Sequence, residues 1–277
     1  MSRKAFSVGV DLGGTNVRAG LVSQGKIIKL QAQSIRSQGT EREVFEDVFA
    51  VIDQVMDKRV HSLGIGVPSL VNPTDGTIFD TVNIPSWKHV PLKKRLERRY
   101  KIPVRIDNDA NCFALGEKTF GMAKECDNFV GLIVGTGLGA GVIAKGSLYS
   151  GVDCGAGEFG MIPYRDSILE HYASGQFFRR NGFDGAKLAA EQKLGSKKAQ
   201  KIFDEFGYHL AQAIKVILYA LAPEMIVLGG SVGRALPAYE FALRRGLDDF
   251  GYPAVAKKLK IKVSRLKEVA VLGAASL

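Results

Sequence analysis

A carboxylate followed by paired glycines, a threonine and an asparagine is a combination that can hold phosphate. It occurs at Asp11, Gly13, Gly14, Thr15 and Asn16. Glycine backbone can come close to an anion and turn its N–H groups toward it. Thr15 and Asn16 add side-chain donors. Asp11 is placed to hold a hydrated Mg2+, a hard cation that prefers oxygen ligands. Val8, Val10 and Leu12 alternate with small or polar residues before the turn, as Val17, Ala19 and Leu21 do after it. The spacing predicts a strand, a glycine turn and a second strand, a phosphate cradle carried on a hairpin. No Gly-Lys-Ser/Thr follows and no G-x-G-x-x-G opens a helix, which excludes a P-loop and a dinucleotide fingerprint.

The device recurs at residues 129–146. An offset of 121 positions aligns Gly14 with Gly135, Thr15 with Thr136, Ala19 with Ala140, Gly20 with Gly141 and Gly25 with Gly146, without a gap. Gly135, Thr136 and Gly137 then form a second turn, and two such units suggest two domains of like architecture sharing one polyphosphate in the cleft between them. A third turn, Gly229-Gly230-Ser231, ends the apolar run beginning at Met225. It can pack against a nucleobase or sugar, or simply connect a strand to a helix.

Asp107, Asn108 and Asp109 follow a strand predicted over residues 103–106. Either carboxylate could take a proton from a hydroxyl. Asn108 could equally cap a helix starting near Ala110.

The elements that must position these groups are legible as periodicities. Residues 27–34 read as a third antiparallel strand. Residues 40–58 carry Val44, Val48, Val51, Ile52 and Val55 on one helical face, with Thr40 and Glu43 spaced as a capping box. A buried strand over 62–67 leads to a loop, 69–89, in which Asn83 and Trp87 are expected at the cleft edge as sugar contacts. Helices are predicted over 91–100, 167–180, 199–222 and 237–250, and strands over 225–228 and 259–264.

The chain has 277 residues, is 46% hydrophobic and carries a net charge of +10. That length supports two domains, and no apolar run reaches the roughly 18 residues of a membrane span. The N-terminus has no apolar signal region, so no export is expected. Cys112, Cys126 and Cys154 have no paired spacing, as fits free thiols in a reducing cytoplasm. The basic residues cluster on predicted wet faces, around Lys93–Lys101 and Lys257–Lys262, which points to bulk attraction of anionic nucleotide rather than a nucleic-acid or membrane partner.

With these turns in place the chain resembles the ROK family of sugar kinases, within the actin/hexokinase/Hsp70 superfamily. The matching pieces are Asp11-Leu-Gly-Gly-Thr-Asn16, Gly64-Ile-Gly-Val-Pro68, Asn83-Ile-Pro85, Asp107-Asn-Asp-Ala-Asn111, Gly135-Thr-Gly-Leu-Gly139, Ala156-Gly-Glu-Phe-Gly160, Leu169-Glu-His-Tyr-Ala-Ser-Gly175, Gly229-Gly230 and Leu272-Gly-Ala-Ala275. They stand in family order along nearly the whole chain. The resemblance implies an α/β fold of two actin-like (ribonuclease H-like) domains with a cleft between them, covering residues 1–109 and 110–264, with a C-terminal helix at about 265–277 packing back on the first.

It further implies an ATP-dependent hexose kinase, most simply a glucokinase forming glucose 6-phosphate, with N-acetylmannosamine kinase and fructokinase as alternatives. Asp109, the Asp followed by Ala, becomes the catalytic base. Asn83, Asn108, Asp109, Glu158 and Glu170 become sugar contacts. Asp11, Gly13, Gly14, Thr15, Asn16, Gly135, Thr136, Gly137, Gly229 and Gly230 become ATP contacts, with Mg2+ held through water at Asp11. A homodimer is implied as well.

Zinc is the departure. Relatives carry His where Met161 stands, then a cysteine-rich hairpin; here only residues 162–168 separate Met161 from Leu169, and none is cysteine. A closed four-ligand site cannot be built from these residues, so no zinc is expected. His171, beside Glu170, is expected to face solvent. The family also contains sugar-responsive repressors with a DNA-binding helix-turn-helix ahead of the kinase-like body. Only seven residues precede Val8, so none is expected here; a non-catalytic sugar sensor is the remaining alternative of another class.

Overall fold

The structure, a computed structural model, describes residues 5–79, 81 and 83–277. Positions 80 and 82 of the expected loop, and the first four of the 1–109 region, lie outside the described residues. The elements in chain order are β1 (Phe6–Leu12), β2 (Asn16–Ser23), β3 (Lys26–Ser34), α1 (Glu41–Val55), β4 (Val60–Val67), β5 (Leu70–Val71), β6 (Thr77–Phe79), β7 (His89–Pro91), α2 (Leu92–Tyr100), β8 (Val104–Asn108) and α3 (Asp109–Thr119). They continue with β9 (Phe129–Val134), β10 (Leu138–Ala144), β11 (Ser147–Leu148), short 3-10 turns at Val152–Cys154 and Phe159–Met161, β12 (Pro163–Tyr164), β13 (Ser167–Ile168), α4 (Leu169–Ala173), α5 (Gly175–Arg180), α6 (Gly185–Lys193) and α7 (Lys197–Leu221). The last are β14 (Met225–Gly229), α8 (Gly230–Gly233), α9 (Leu236–Arg245), α10 (Pro253–Lys258), β15 (Lys260–Val263) and α11 (Val269–Ala274).

Two five-stranded sheets share one topology. The first runs β3-β2-β1-β4-β8 and the second β11-β10-β9-β14-β15. In each, the first three strands are antiparallel and the last two are added in parallel. This is the α/β arrangement of mixed sheets and helices consistent with actin/hexokinase-fold domains. The hairpins differ in one respect. Four residues, Gly13 to Asn16, separate the paired Leu12 and Val17, whereas three, Gly135 to Gly137, separate Val134 and Leu138. The gapless offset therefore holds through the turns and second strands, but the first strands are displaced by one residue.

Two helices are layered on the hairpins. Helix α11 packs on β1 and α3 packs on β10 and β9, and α3 and α11 pack on each other. Glycines let the backbones meet. A Cβ at Gly9 would lie 1.9 Å from the Val271 carbonyl oxygen, one at Gly141 2.3 Å from that of Ala110, and one at Gly273 1.7 Å from that of Cys112. No side chain fits at any of these three contacts.

Local signals are realised where they are strong. Thr40 Oγ1 accepts from Glu43 N–H at 3.3 Å and Glu43 Oε2 accepts from Thr40 N–H at 2.8 Å, closing the capping box that starts α1. Leu92 and Leu96 of the basic helix are fully buried. Helix α1 ends at Val55, short of residue 58, and α9 ends at Arg245, short of residue 250.

Three expectations are corrected. Segment 69–89 is not only loop, because β5, β6 and β7 pair as a small sheet. Trp87 is not at the cleft edge; it is fully buried in the first core, its ring 5.0 Å from that of Phe45 on α1. The helix expected over 167–180 is broken at Ser174, whose extended backbone (φ −137°, ψ −173°) lets its hydroxyl accept from Gln176 N–H at 3.1 Å and cap α5. Helices α6 and α10 were not foreseen.

Candidate active site

The first turn is closed by Gly13 N–H donating to the Asn16 carbonyl at 2.9 Å. Thr15 and Asn16 are exposed, and Asn16 Oδ1 accepts from Ser34 Oγ at 3.3 Å. Asn83 packs directly beside this turn: a Cβ on Gly14 would come within 2.6 Å of the Asn83 Cβ. Asp11, at the end of β1, pairs with Arg18 only at 3.9 Å, too long for a hydrogen bond.

Asn108 ends β8 and Asp109 begins α3. Both readings of Asn108 meet here. Its Oδ1 accepts from Ala110 N–H at 2.9 Å, the N-cap bond, and its Nδ2 donates to the Ser69 carbonyl at 3.4 Å. Asp109 Oδ1 also accepts from Ala110 N–H, at 2.8 Å. Asp107 is different: it is buried and engaged by donors, whereas Asp109 shares its surroundings with Asp11 and Glu158.

That company sets the electrostatics. Burial first, then repulsion from Asp11 and Glu158, pushes the Asp109 carboxyl up to about 7. Asp11 is raised by burial, with Arg18 opposing and Glu268 reinforcing the shift. Glu158 remains accessible to water, yet the protein mass around it raises its carboxyl, and the neighbouring Glu170 adds to the effect. Charge repulsion thus couples Asp11 to Asp109, Asp109 to Glu158 and Glu158 to Glu170.

The second turn is held from below by the Glu170 segment. Glu170 Oε2 accepts from Leu138 N–H at 2.9 Å and Oε1 accepts from Gln176 Nε2 at 2.8 Å. Gly175 N–H donates to the Gly135 carbonyl at 2.7 Å, and the Ser174 hydroxyl lies between two acceptors, the Glu170 carbonyl at 2.6 Å and that of Thr136 at 3.2 Å. Two glycines are required around it. Gly157 has φ +99° and lies against β10, where a Cβ would be 2.0 Å from the Ala140 carbonyl oxygen. Gly230 has φ +80°, and a Cβ there would be 2.3 Å from the Val134 carbonyl oxygen and 2.9 Å from Gly135 N. Gly229-Gly230 is therefore both the strand-to-helix connection and the wall of the second turn.

The structure thus gathers Asp11, Asp109, Glu158 and Glu170 electrostatically, joins Asn83 to the first turn, and joins Gly230 and Glu170 to the second. Sequence reasoning missed Gln176 and the hydrogen bonds that make Ser174 a support of the second turn. His171 is half-buried rather than solvent-facing, its Nδ1 lying 2.5 Å from Ser167 Oγ. All three cysteines are buried and free. Among the described residues there is no group of three or more His, Cys, Asp and Glu able to hold a metal ion, and no helix long and apolar enough to cross a membrane.

The sequence profile of the ROK family matches residues 7–277. A glucokinase of Thermotoga maritima is 31% identical, covering 98% of this chain and 96% of that protein. An N-acetyl-D-glucosamine kinase of Yersinia pseudotuberculosis is 31% identical over 84% of this chain and 86% of its own length. The crystal structure of a ROK family glucokinase from Streptomyces griseus, in complex with glucose and AMPPNP, superposes with a TM-score of 0.84 at 25% identity, covering 98% of each chain. The chain belongs to the ROK family. The activity that family and fold support in general is that of a ROK-family sugar kinase.

Proposed function

We propose that this protein is an ATP-dependent hexokinase that transfers the γ-phosphoryl group of ATP to the 6-hydroxyl of glucose. The observation that carries this reading is Asp109, a carboxylate at the start of α3 whose acidity is moved to about 7 by burial and by Asp11 and Glu158. A base poised near the working pH combines a useful unprotonated fraction with enough proton affinity. In this reading regions 1–109 and 110–264 form two domains, α11 belongs to the first, and the reaction takes place in the cleft between them.

Asp109 accepts the proton of the sugar hydroxyl as its oxygen attacks the γ-phosphorus, and ADP leaves on the opposite side. Asn83, Asn108, Glu158 and Glu170 orient the sugar through its hydroxyls. Glu170 keeps acceptor capacity for this, since each of its oxygens takes one protein hydrogen bond. Gly13 and Gly135 N–H close their turns by donating to the Asn16 and Gly137 carbonyls, leaving the backbone at Gly14, Thr15 and Asn16, and at Thr136 and Gly137, to cradle the phosphates, and Gly229-Gly230 borders the nucleotide. Closure over both substrates excludes water from the phosphoryl group.

The donor set suits Mg2+. Arg18 stands 3.9 Å from Asp11 without a hydrogen bond, and Glu268 repels that carboxylate, so the Asp11 oxygens keep lone pairs for a divalent cation. One carboxylate with water and phosphate oxygens satisfies this ion. Bound there through water at Asp11, it would neutralise charge on the transferring phosphates. The three buried free thiols support a reducing, cytoplasmic setting.

The glucokinase relative supports glucose, and the N-acetyl-D-glucosamine kinase relative supports an N-acetylated hexose as the second reading. Purified protein with Mg-ATP and a hexose panel separates them by ADP release. Turnover with glucose above all others is expected. Turnover confined to an N-acetylhexosamine or fructose would replace the substrate and keep the chemistry; no turnover with any sugar would overturn the kinase reading.

A further inference from the structure

Asp107 stands two residues before the proposed base and is only 7% exposed. Its Oδ1 accepts from the backbone N–H of Asn108 and from Asn111 Nδ2, both at 2.7 Å, and its Oδ2 accepts from Ser150 Oγ at 3.1 Å. The Cys154 thiol faces the same carboxylate, and burial together with Asp107 pushes it up to about 12, so it stays protonated and able to donate. Asn111, fully buried in the first turn of α3, also donates to the Cys154 carbonyl at 3.4 Å. Asp107 on the last strand of the first sheet therefore grips a segment, residues 150–154, that leaves the second sheet after β11.

That segment needs gripping. Gly151, Asp153 and Cys154 have φ of 68°, 53° and 56°. Left-handed backbone at non-glycine residues costs on the order of 1–3 kcal/mol each and persists only where surroundings enforce it. Ala156 N–H donates to the Ser150 carbonyl at 2.9 Å, closing the loop, and Gly157 and Glu158 come directly after it. The packing of Gly155 against Leu70 of β5 fixes the other side.

We propose that Asp107, with Asn111, is a positioning residue: a latch that clamps the Ser150–Cys154 loop and so sets Glu158 where the sugar binds. This rests on the kinase reading for Glu158, but the latch itself has a readout that does not. Cys154 is buried beside the held loop, so its reaction with a thiol reagent, located by mass spectrometry, reports the latch, with Asp107→Asn as the control that removes the same charge beside the thiol and keeps the hydrogen bonds. Cys112, also buried, reports global unfolding.

In Asp107→Ala, Cys154 is expected to label at least roughly tenfold faster than in the parent, with Cys112 still protected, and the KM for sugar to rise roughly tenfold with that for Mg-ATP unchanged. Ser150→Ala, which deletes one bond, shifts both readouts the same way by a smaller factor. Asp107→Asn restores both toward the parent, because the amide can accept from Asn108 and Asn111 and donate to the Ser150 hydroxyl. Should Asp107→Ala fail to fold, Ser150→Ala decides alone. Unchanged Cys154 labelling overturns the latch. Faster labelling with an unmoved sugar KM overturns its role in setting Glu158. Absence of sugar turnover in the parent chain overturns the kinase reading, and with it the role assigned to Glu158, while the labelling still tests the clamp.

Discussion

Glu170 Oε2 accepts the backbone N–H of Leu138 at 2.9 Å, so a carboxylate expected to meet sugar also fixes the turn expected to meet phosphate. Its other oxygen is taken by Gln176. One side chain thereby links the proposed sugar contact to the proposed phosphate turn, which the sequence treats as separate motifs.

Glu170→Gln should weaken both sites at once. A glutamine presents one acceptor where two donors arrive, and leaves its own amide facing one of them. Loss of a charge-assisted hydrogen bond of about 1.5–3 kcal/mol corresponds to roughly 10- to 100-fold in kcat/KM. Initial rates with both substrates varied should show raised KM values for sugar and Mg-ATP alike. A change confined to the sugar would show that the turn does not depend on Glu170.

The acidity of Asp109 gives two opposite pH dependences. As a base it must be unprotonated, so kcat/KM should fall about tenfold per pH unit below about 7. Stability runs the other way. Between the ordinary carboxyl range and about 7 the folded state holds a proton that the unfolded state has released, so the fold loses stability as pH rises through that window. Asp109→Asn should raise the melting temperature at pH 8 and change it little at pH 4. The move from the ordinary carboxyl range to about 7 caps the gain at roughly 4 kcal/mol, and solvent reaching the site reduces it. Equal melting temperatures at pH 8 would remove this account of the carboxyl.

Trp87 is the chain's one tryptophan and reports on the core rather than the ligand. Its emission should be blue-shifted and resist acrylamide. Among the described residues the indole N–H has no partner, so Trp87→Phe breaks no hydrogen bond to any of them. It should cost about 1–2 kcal/mol of stability and leave the sugar KM within twofold. A large rise in the sugar KM would restore Trp87 to the site.

Gly157→Ala should abolish sugar binding or folding outright. The new methyl would sit 2.0 Å from the Ala140 carbonyl oxygen at a φ that side chains avoid. Calorimetric titration with glucose checks this beside circular dichroism. Normal binding would mean that the Glu158 turn can move away from β10 at no cost.

The parts of this architecture set by local chemistry are legible in the chain. Thr40 and Glu43 announce the start of α1, and the alternation around Gly13-Gly14 and Gly135-Thr136-Gly137 announces both hairpins. What distant residues decide is not legible. The burial of Trp87 depends on Phe45 from another element. The one-residue difference between the hairpins is a matter of pairing, which identities cannot reveal. The resemblance singles out Asp109 by the Ala that follows it, but the physical difference from Asp107 is not legible: Ser150, 43 positions away, occupies Asp107, while Asp109 faces Asp11 and Glu158. Ser174 breaks a helix whose apolar spacing continues through it, because its hydroxyl caps α5.

The central claim is that Asp109 takes the proton of a hexose hydroxyl during phosphoryl transfer. The direct measurement is glucose-dependent ADP release by the parent chain and Asp109→Asn at pH 8, both with saturating Mg-ATP. General-base catalysis is worth roughly 10²–10⁴-fold, so turnover should fall by that factor while calorimetry still detects glucose and nucleotide binding. Turnover of Asp109→Asn within tenfold of the parent would contradict the assignment.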